Sequence, residues 1–123
     1  MQIESLDLHG YTVSEAMSLF VRRYNRLLSS MAVGELRGLE VIHGKGKGGE
    51  TGLIREALRD YLKQQGKRIS GFDAQLAMRG ASYAAEQGGR LSYIYGEDVS
   101  GNAGCTIVIP RQRLTLPRGW HSY

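Results

Sequence analysis

The strongest constraint on how this chain folds is a helical apolar repeat set between two short β-rich segments. Apolar residues recur at Val13, Ala16, Met17, Phe20, Tyr24, Leu27 and Leu28, the i, i+3, i+4, i+7 spacing of an amphipathic helix. Its start is marked by "TVSE", where Thr12 and Glu15 are spaced for a capping box. Before it, "IESLDL" (residues 3–8) alternates, with Leu6 and Leu8 on one side and Asp7 and His9 on the other. After it, past a connection containing Gly34 and Gly38, "LEVIH" (residues 39–43) reads as a second strand. A strand, helix, strand unit within one sheet makes a right-handed crossover that leaves its strands parallel. His9 and His43 then end neighbouring strands on one edge, where ligands of open α/β sheets gather.

The second strand runs into Gly44, Gly46, Gly48 and Gly49, interleaved with Lys45 and Lys47. A second helical pattern follows at once, through Leu53, Ile54, Ala57, Leu58, Tyr61 and Leu62, and stops before Gly66. Backbone amides in such a turn, with the positive end of the next helix, form an anion site suited to phosphate. The Walker A pattern fails, because Gly49 is followed by Glu50 and Thr51. Gly44, Gly46 and Gly49 do satisfy G-x-G-x-x-G. No second strand with a ribose-binding acid follows, however, and the chain is too short for a doubly wound fold. The bland alternative is a plain strand-to-helix connection, which rarely needs two lysines among its glycines.

Further on, "FDAQLAMRGASYAAEQGG" (residues 72–89) reads as a third, small-residue helix closed by Gly88 and Gly89. "RLSYIY" (90–95) and "CTIVIP" (105–110) read as strands joined by the turn-rich "GEDVSGNAG". Cys105 is the one cysteine, so neither an intramolecular disulfide nor a zinc knuckle is available, and it reads as a small buried strand residue. The tail, residues 110–123, holds Arg111, Arg113, Arg118, Trp120 and Tyr123 without periodicity. Its aromatics are candidates for base stacking, although a tail that packs on the domain or stays disordered is the commoner outcome. With 123 residues, 41% of them apolar, one domain with one core is expected. No apolar run of bilayer length and no signal peptide appear, so a cytoplasmic protein is expected.

Sixteen Lys and Arg against twelve Asp and Glu leave a formal charge of +4. Lys45, Lys47, Arg55, Arg59, Lys63, Lys67 and Arg68 outnumber Glu50, Glu56 and Asp60 in the central stretch, and Arg22, Arg23 and Arg26 lie on the first helix. Clusters of this kind favour polyanions. Arg55, just inside the second helix, is a phosphate candidate; Arg59 and Lys63 continue at i, i+4 and read as solvated surface.

Three motifs match a known family in order and spacing. "LDLHGYTVSEA" (6–16) resembles the opening motif of the small MutS-related, or Smr, domain; "VIHGKGKGG" (41–49) resembles its H/T-G-x-G loop; "AGCTIVI" (103–109) resembles its final strand. The resemblance implies a two-layer α+β sandwich, a four-stranded mixed sheet with two main helices, similar to the C-terminal domain of translation initiation factor three. Residues 67–90 depart from that pattern and read as an inserted helical segment. The resemblance also implies binding to RNA or DNA, endonuclease activity in several members, and the ribosome as a partner of some bacterial ones. Asp7 and His9 fall in its D-L-H motif, and His43, Gly44 and Gly46 in its loop motif.

The expected catalytic residues are therefore His9, Asp7 and His43, with Gly44, Lys45, Gly46, Lys47, Gly48 and Arg55 holding phosphate. An imidazole near neutrality suits removal of a 2′-hydroxyl proton, and Asp7 stands where it can orient His9. Only Asp7 offers a carboxylate at this edge, with Glu40 facing elsewhere, so no cofactor is required and a divalent metal is optional. A monomer is expected. An Smr-type endonuclease is the first reading, a non-catalytic nucleic-acid-binding module the second, and a small-molecule nucleotide binder the third.

Overall fold

The computed structural model describes residues 1–45, 49–80, 89–116 and 120. Strand β1 (Gln2–Asp7) leads into helix α1 (Val13–Ser30), and strand β2 (Arg37–Ile42) returns beside β1. The two strands are parallel neighbours, with Asp7 opposite Ile42. Helix α2 (Gly49–Gln65) passes directly into strand β3 (Gly66–Arg68), and helix α3 (Gly71–Met78) follows. Strand β4 (Leu91–Tyr95), a short 3-10 turn (Gly96–Asp98) and strand β5 (Cys105–Ile109) complete one mixed sheet, ordered β1-β2-β5-β4-β3.

Local chemistry explains the first helix. Thr12 Oγ1 accepts from the Glu15 amide at 3.2 Å, and a Glu15 carboxylate oxygen accepts from the Thr12 amide at 3.2 Å, closing the expected capping box. The stripe of Ala16, Met17, Phe20, Val21, Tyr24 and Leu27 is buried against the sheet. Each large side chain so buried contributes about 1.5–3 kcal/mol.

Alternation along the strands sorts the core into two parts. Leu39 and Val41 of β2, Leu91 and Tyr93 of β4 and Val108 of β5 join α1 and α2 on one face. Ile94, Ile107 and Ile109 point to the other face and meet Ile69 with Ala74 and Ala77 of α3. The anticipated third helix thus exists as α3 but ends at Met78; residues 81–88 of the expected span lie outside the described residues.

The sheet has five strands where four were expected. The fifth, β3, has only three residues, too few to display an alternating pattern, and it pairs in parallel with β4. Its first residue must be glycine, because a Cβ at Gly66 would collide with the Leu91 carbonyl. Residues that read as the beginning of an insertion therefore extend the central sheet.

The C-terminal segment is strapped onto the two long helices. The Tyr24 hydroxyl donates to the Gln112 carbonyl at 2.6 Å and the Tyr61 hydroxyl to the Thr115 carbonyl at 2.7 Å. Leu114 is buried between them, and Trp120 packs on Tyr61 with ring centroids 5.7 Å apart. Packing, rather than an open stacking platform, is what the structure assigns to Trp120; Tyr123 lies outside the described residues.

Candidate nucleic-acid site at the edge of the parallel strands

The carboxyl ends of β1 and β2 share one edge of the sheet, and each leads into a polar turn. Leu8, just past β1, is fully buried and donates its amide to the Ile42 carbonyl at 2.8 Å, which holds the turn down. The side chains on either side of it face solvent. Asp7 accepts the His9 amide at 2.9 Å, and its two oxygens lie 3.2 and 3.3 Å from His9 Nδ1. Facing a carboxylate, Nδ1 carries its proton, so the neutral ring presents the Nε2 lone pair outward. The His9 amide, and then its ring, hold the Asp7 carboxyl below its ordinary range. The His9 side chain keeps 73% of its surface exposed, which leaves Nε2 open to an incoming group.

His43 shares that edge but not that environment. It is fully buried, its Nδ1 lies 2.8 Å from the Gly44 carbonyl, and its Nε2 lies 2.8 Å from Thr106 Oγ1. A carbonyl only accepts, so Nδ1 is the protonated nitrogen. Burial pushes the ring's pKa down to about 4, aided by the Arg59 and Arg55 charges, so the ring is neutral and Nε2 accepts from the threonine hydroxyl. Thr106 in turn accepts from Arg59 Nε at 3.0 Å.

Arg59 is the residue that sequence reasoning misplaced. Expected on the solvated surface of α2, it is only 11% exposed. Its guanidinium grips both Glu97 oxygens at 3.0 and 2.7 Å, donates to the Cys105 carbonyl at 3.1 Å and lies 3.7 Å from the Tyr95 ring centroid. Lys63, placed on the surface by the same argument, is 61% exposed there. The one sequence signal for this network was Thr106, a hydroxyl in the otherwise apolar "CTIVIP". Cys105, beside it, is buried as expected, and burial raises its thiol pKa.

The network anchors the beginning of the glycine loop. The Gly104 carbonyl accepts the amides of both His43 and Gly44, at 2.9 and 3.0 Å, while the Gly104 amide donates to Asn102 Oδ1 at 2.9 Å. Gly44 itself adopts φ +87°, a conformation that L side chains rarely take. Lys45 is exposed just beyond it, and Arg55 is half-buried on α2, close enough for its charge to act on His43. Gly46, Lys47 and Gly48, the remaining expected phosphate contacts, lie outside the described residues. Among the described residues, no three of His, Cys, Asp and Glu are grouped so as to hold a metal ion, and no helix is long and apolar enough to cross a membrane.

Fold and edge together define an α+β domain with a mixed sheet, an exposed histidine–aspartate pair and a glycine loop anchored beside it. The chain belongs to the Smr domain family, whose family model matches residues 6–111 of the 123. Comparison with curated proteins and with solved structures gives no significant match.

Proposed function

We propose that this protein is a nucleic-acid-binding endonuclease of the Smr type, acting on RNA or on branched or single-stranded nucleic acid. The observation that carries the reading is the exposed His9, oriented through Nδ1 by Asp7, with Nε2 left open at the edge of the sheet. On RNA, His9 Nε2 takes the 2′-hydroxyl proton as that oxygen attacks the adjacent phosphorus. The bond to the 5′-oxygen breaks, that oxygen takes a proton from water, and the other product ends in a 2′,3′-cyclic phosphate. Lys45, Gly46, Lys47, Gly48 and Arg55 hold the phosphate, and Gly44, its own amide held by the Gly104 carbonyl, turns the chain toward it.

His43 has a different part in this scheme. With both nitrogens engaged and its pKa pushed down to about 4, it is a positioning residue that holds the Gly44 carbonyl, rather than a second proton carrier.

The test is cleavage of end-labelled single-stranded RNA by the protein and its His9→Ala variant, with EDTA or with magnesium. Cleavage in EDTA that leaves cyclic phosphate and disappears in His9→Ala supports the scheme. Cleavage at contaminant level that His9→Ala does not change overturns it, and salt-dependent binding without cutting would identify a non-catalytic module.

A further inference from the structure

A second basic feature lies away from the sheet edge. Arg22, Asn25, Arg26 and Ser29 form one stripe along the outer side of α1, at i, i+3, i+4 and i+7, and with Arg113 they line an open trough of about 330 Å³. Arg113 comes from the strap and owes its place to Asn25. That amide donates to the Leu114 carbonyl at 3.0 Å and accepts the Leu114 amide at 2.9 Å, pinning the backbone next to Arg113. Three arginines thus line a single depression.

The arrangement opposes itself electrostatically. Like charges at i and i+4 disfavour a helix. Among the described residues no carboxylate pairs with Arg22, Arg26 or Arg113, although Arg37, Arg59 and Arg68 each have an acidic partner. Such convergence becomes favourable when an anion sits between the cations, and guanidinium forks match phosphate oxygens.

We infer that this trough is a second phosphate-binding surface, which grips the backbone of a nucleic acid whose other part lies at the His9 edge. The inference rests on the nucleic-acid-binding part of the proposed function and not on cleavage. Because α1 starts at the site edge and runs back along the sheet, Arg22 and Arg26 stand about 14 and 20 Å along its axis from Val13. That distance corresponds to about four to six nucleotide steps at the rise of a stacked strand. A three-nucleotide strand would reach only one of the two places.

The experiment measures binding of fluorescein-labelled single-stranded RNA, 20 or three nucleotides long, by anisotropy across a salt series. All proteins carry His9→Ala, so that no strand is cut. One adds Arg22→Gln, Arg26→Gln and Arg113→Gln; a matched control adds Lys67→Gln, Arg79→Gln and Arg90→Gln, removing the same charge elsewhere. The trough variant is expected to lose about tenfold or more in affinity for the long strand, with its salt slope reduced by about 2, or about 0.7 per phosphate released. Binding of the short strand should change less than about threefold, and so should long-strand binding by the control. Thermal unfolding should show the trough variant no less stable than its parent, since like charges have been removed.

Equal loss in both triple variants would reduce the effect to net charge and overturn the inference. So would no loss in the trough variant, the result expected if the trough receives an acidic protein instead. RNA binding that ignores the trough defeats this inference alone, whereas absence of RNA binding by the parent defeats the RNA reading with it.

Discussion

Arg59 Nε donates to the hydroxyl of Thr106 at 3.0 Å, and through that hydroxyl a helix orients the proton received by His43, just past the end of β2. The hydroxyl has one proton to give, and His43 Nε2 receives it. Replacing Thr106 with valine keeps the shape and removes the relay. Arg59 Nε and His43 Nε2 would each lose a buried partner, at a cost of about 1–3 kcal/mol. Urea unfolding of Thr106→Val against the parent measures this, and Thr106→Ser should recover most of the loss.

The buried His43 makes stability depend on pH in a definite direction. Its folded pKa, about 4, lies below the ordinary 6.5, so the unfolded chain binds a proton that the fold refuses. The contribution is complete above pH 6.5 and is lost as pH falls toward 4, by about 1.4 kcal/mol per pH unit and about 3 kcal/mol in all. His43→Asn should flatten the slope between pH 5 and 6.5. Denaturation series at several pH values would expose a wrong assignment as equal slopes in the two proteins.

His9 and Asp7 should separate activity from stability. Both side chains are exposed, so His9→Ala is expected to change unfolding free energy by less than about 0.5 kcal/mol. Its cleavage rate should nevertheless fall about 10²- to 10⁴-fold, the usual contribution of a positioned acid or base. Asp7→Asn keeps an acceptor for the His9 amide and loses the charge facing Nδ1, so its rate should fall less. Parallel cleavage rates and melting curves check both statements.

Gly44 turns the chain out of β2 with φ +87°. A side chain there is strained, and Gly44→Ala should cost about 1 kcal/mol or more, with weakened RNA binding because the loop amides move. The comparison is with Gly10→Ala, also at φ +87° but on the other strand's turn, for which binding tests whether the loss is specific to the loop.

The strap should behave as part of the core. Leu114 is 3% exposed, and Leu114→Ala is expected to destabilise the fold by about 2–5 kcal/mol. A value near zero in chemical unfolding would mean that residues 111–116 contribute little to folding.

Much of the fold was legible because it is written in short-range periodicity. The α1 stripe, the Thr12 and Glu15 cap and the strands β1, β2, β4 and β5 rest on spacings of two to four residues, and the parallel pairing of β1 with β2 follows from the handedness of the crossover between them. β3 was not legible, since three residues carry no period. Packing of the tail was among the expected outcomes, but its partners were not legible, because its contacts use backbone carbonyls, which any sequence supplies.

The sequence by itself determined the local half of the candidate site. Asp7 and His9 lie two residues apart around a strand end, and that spacing alone brings carboxylate and imidazole together. Tertiary structure decided the other half. Whether His43 is a base in solvent or a sealed, neutral clamp depends on Thr106, 63 residues away, and on the desolvation that packing imposes. Arg59 reads as surface until Thr106, Glu97 and the Cys105 carbonyl close around it, and Arg113 joins Arg22 and Arg26 only because Asn25 holds Leu114 from 89 residues away. Spacing along a chain governs neighbours, while burial and hydrogen bonding between distant segments come into being only when those segments pack.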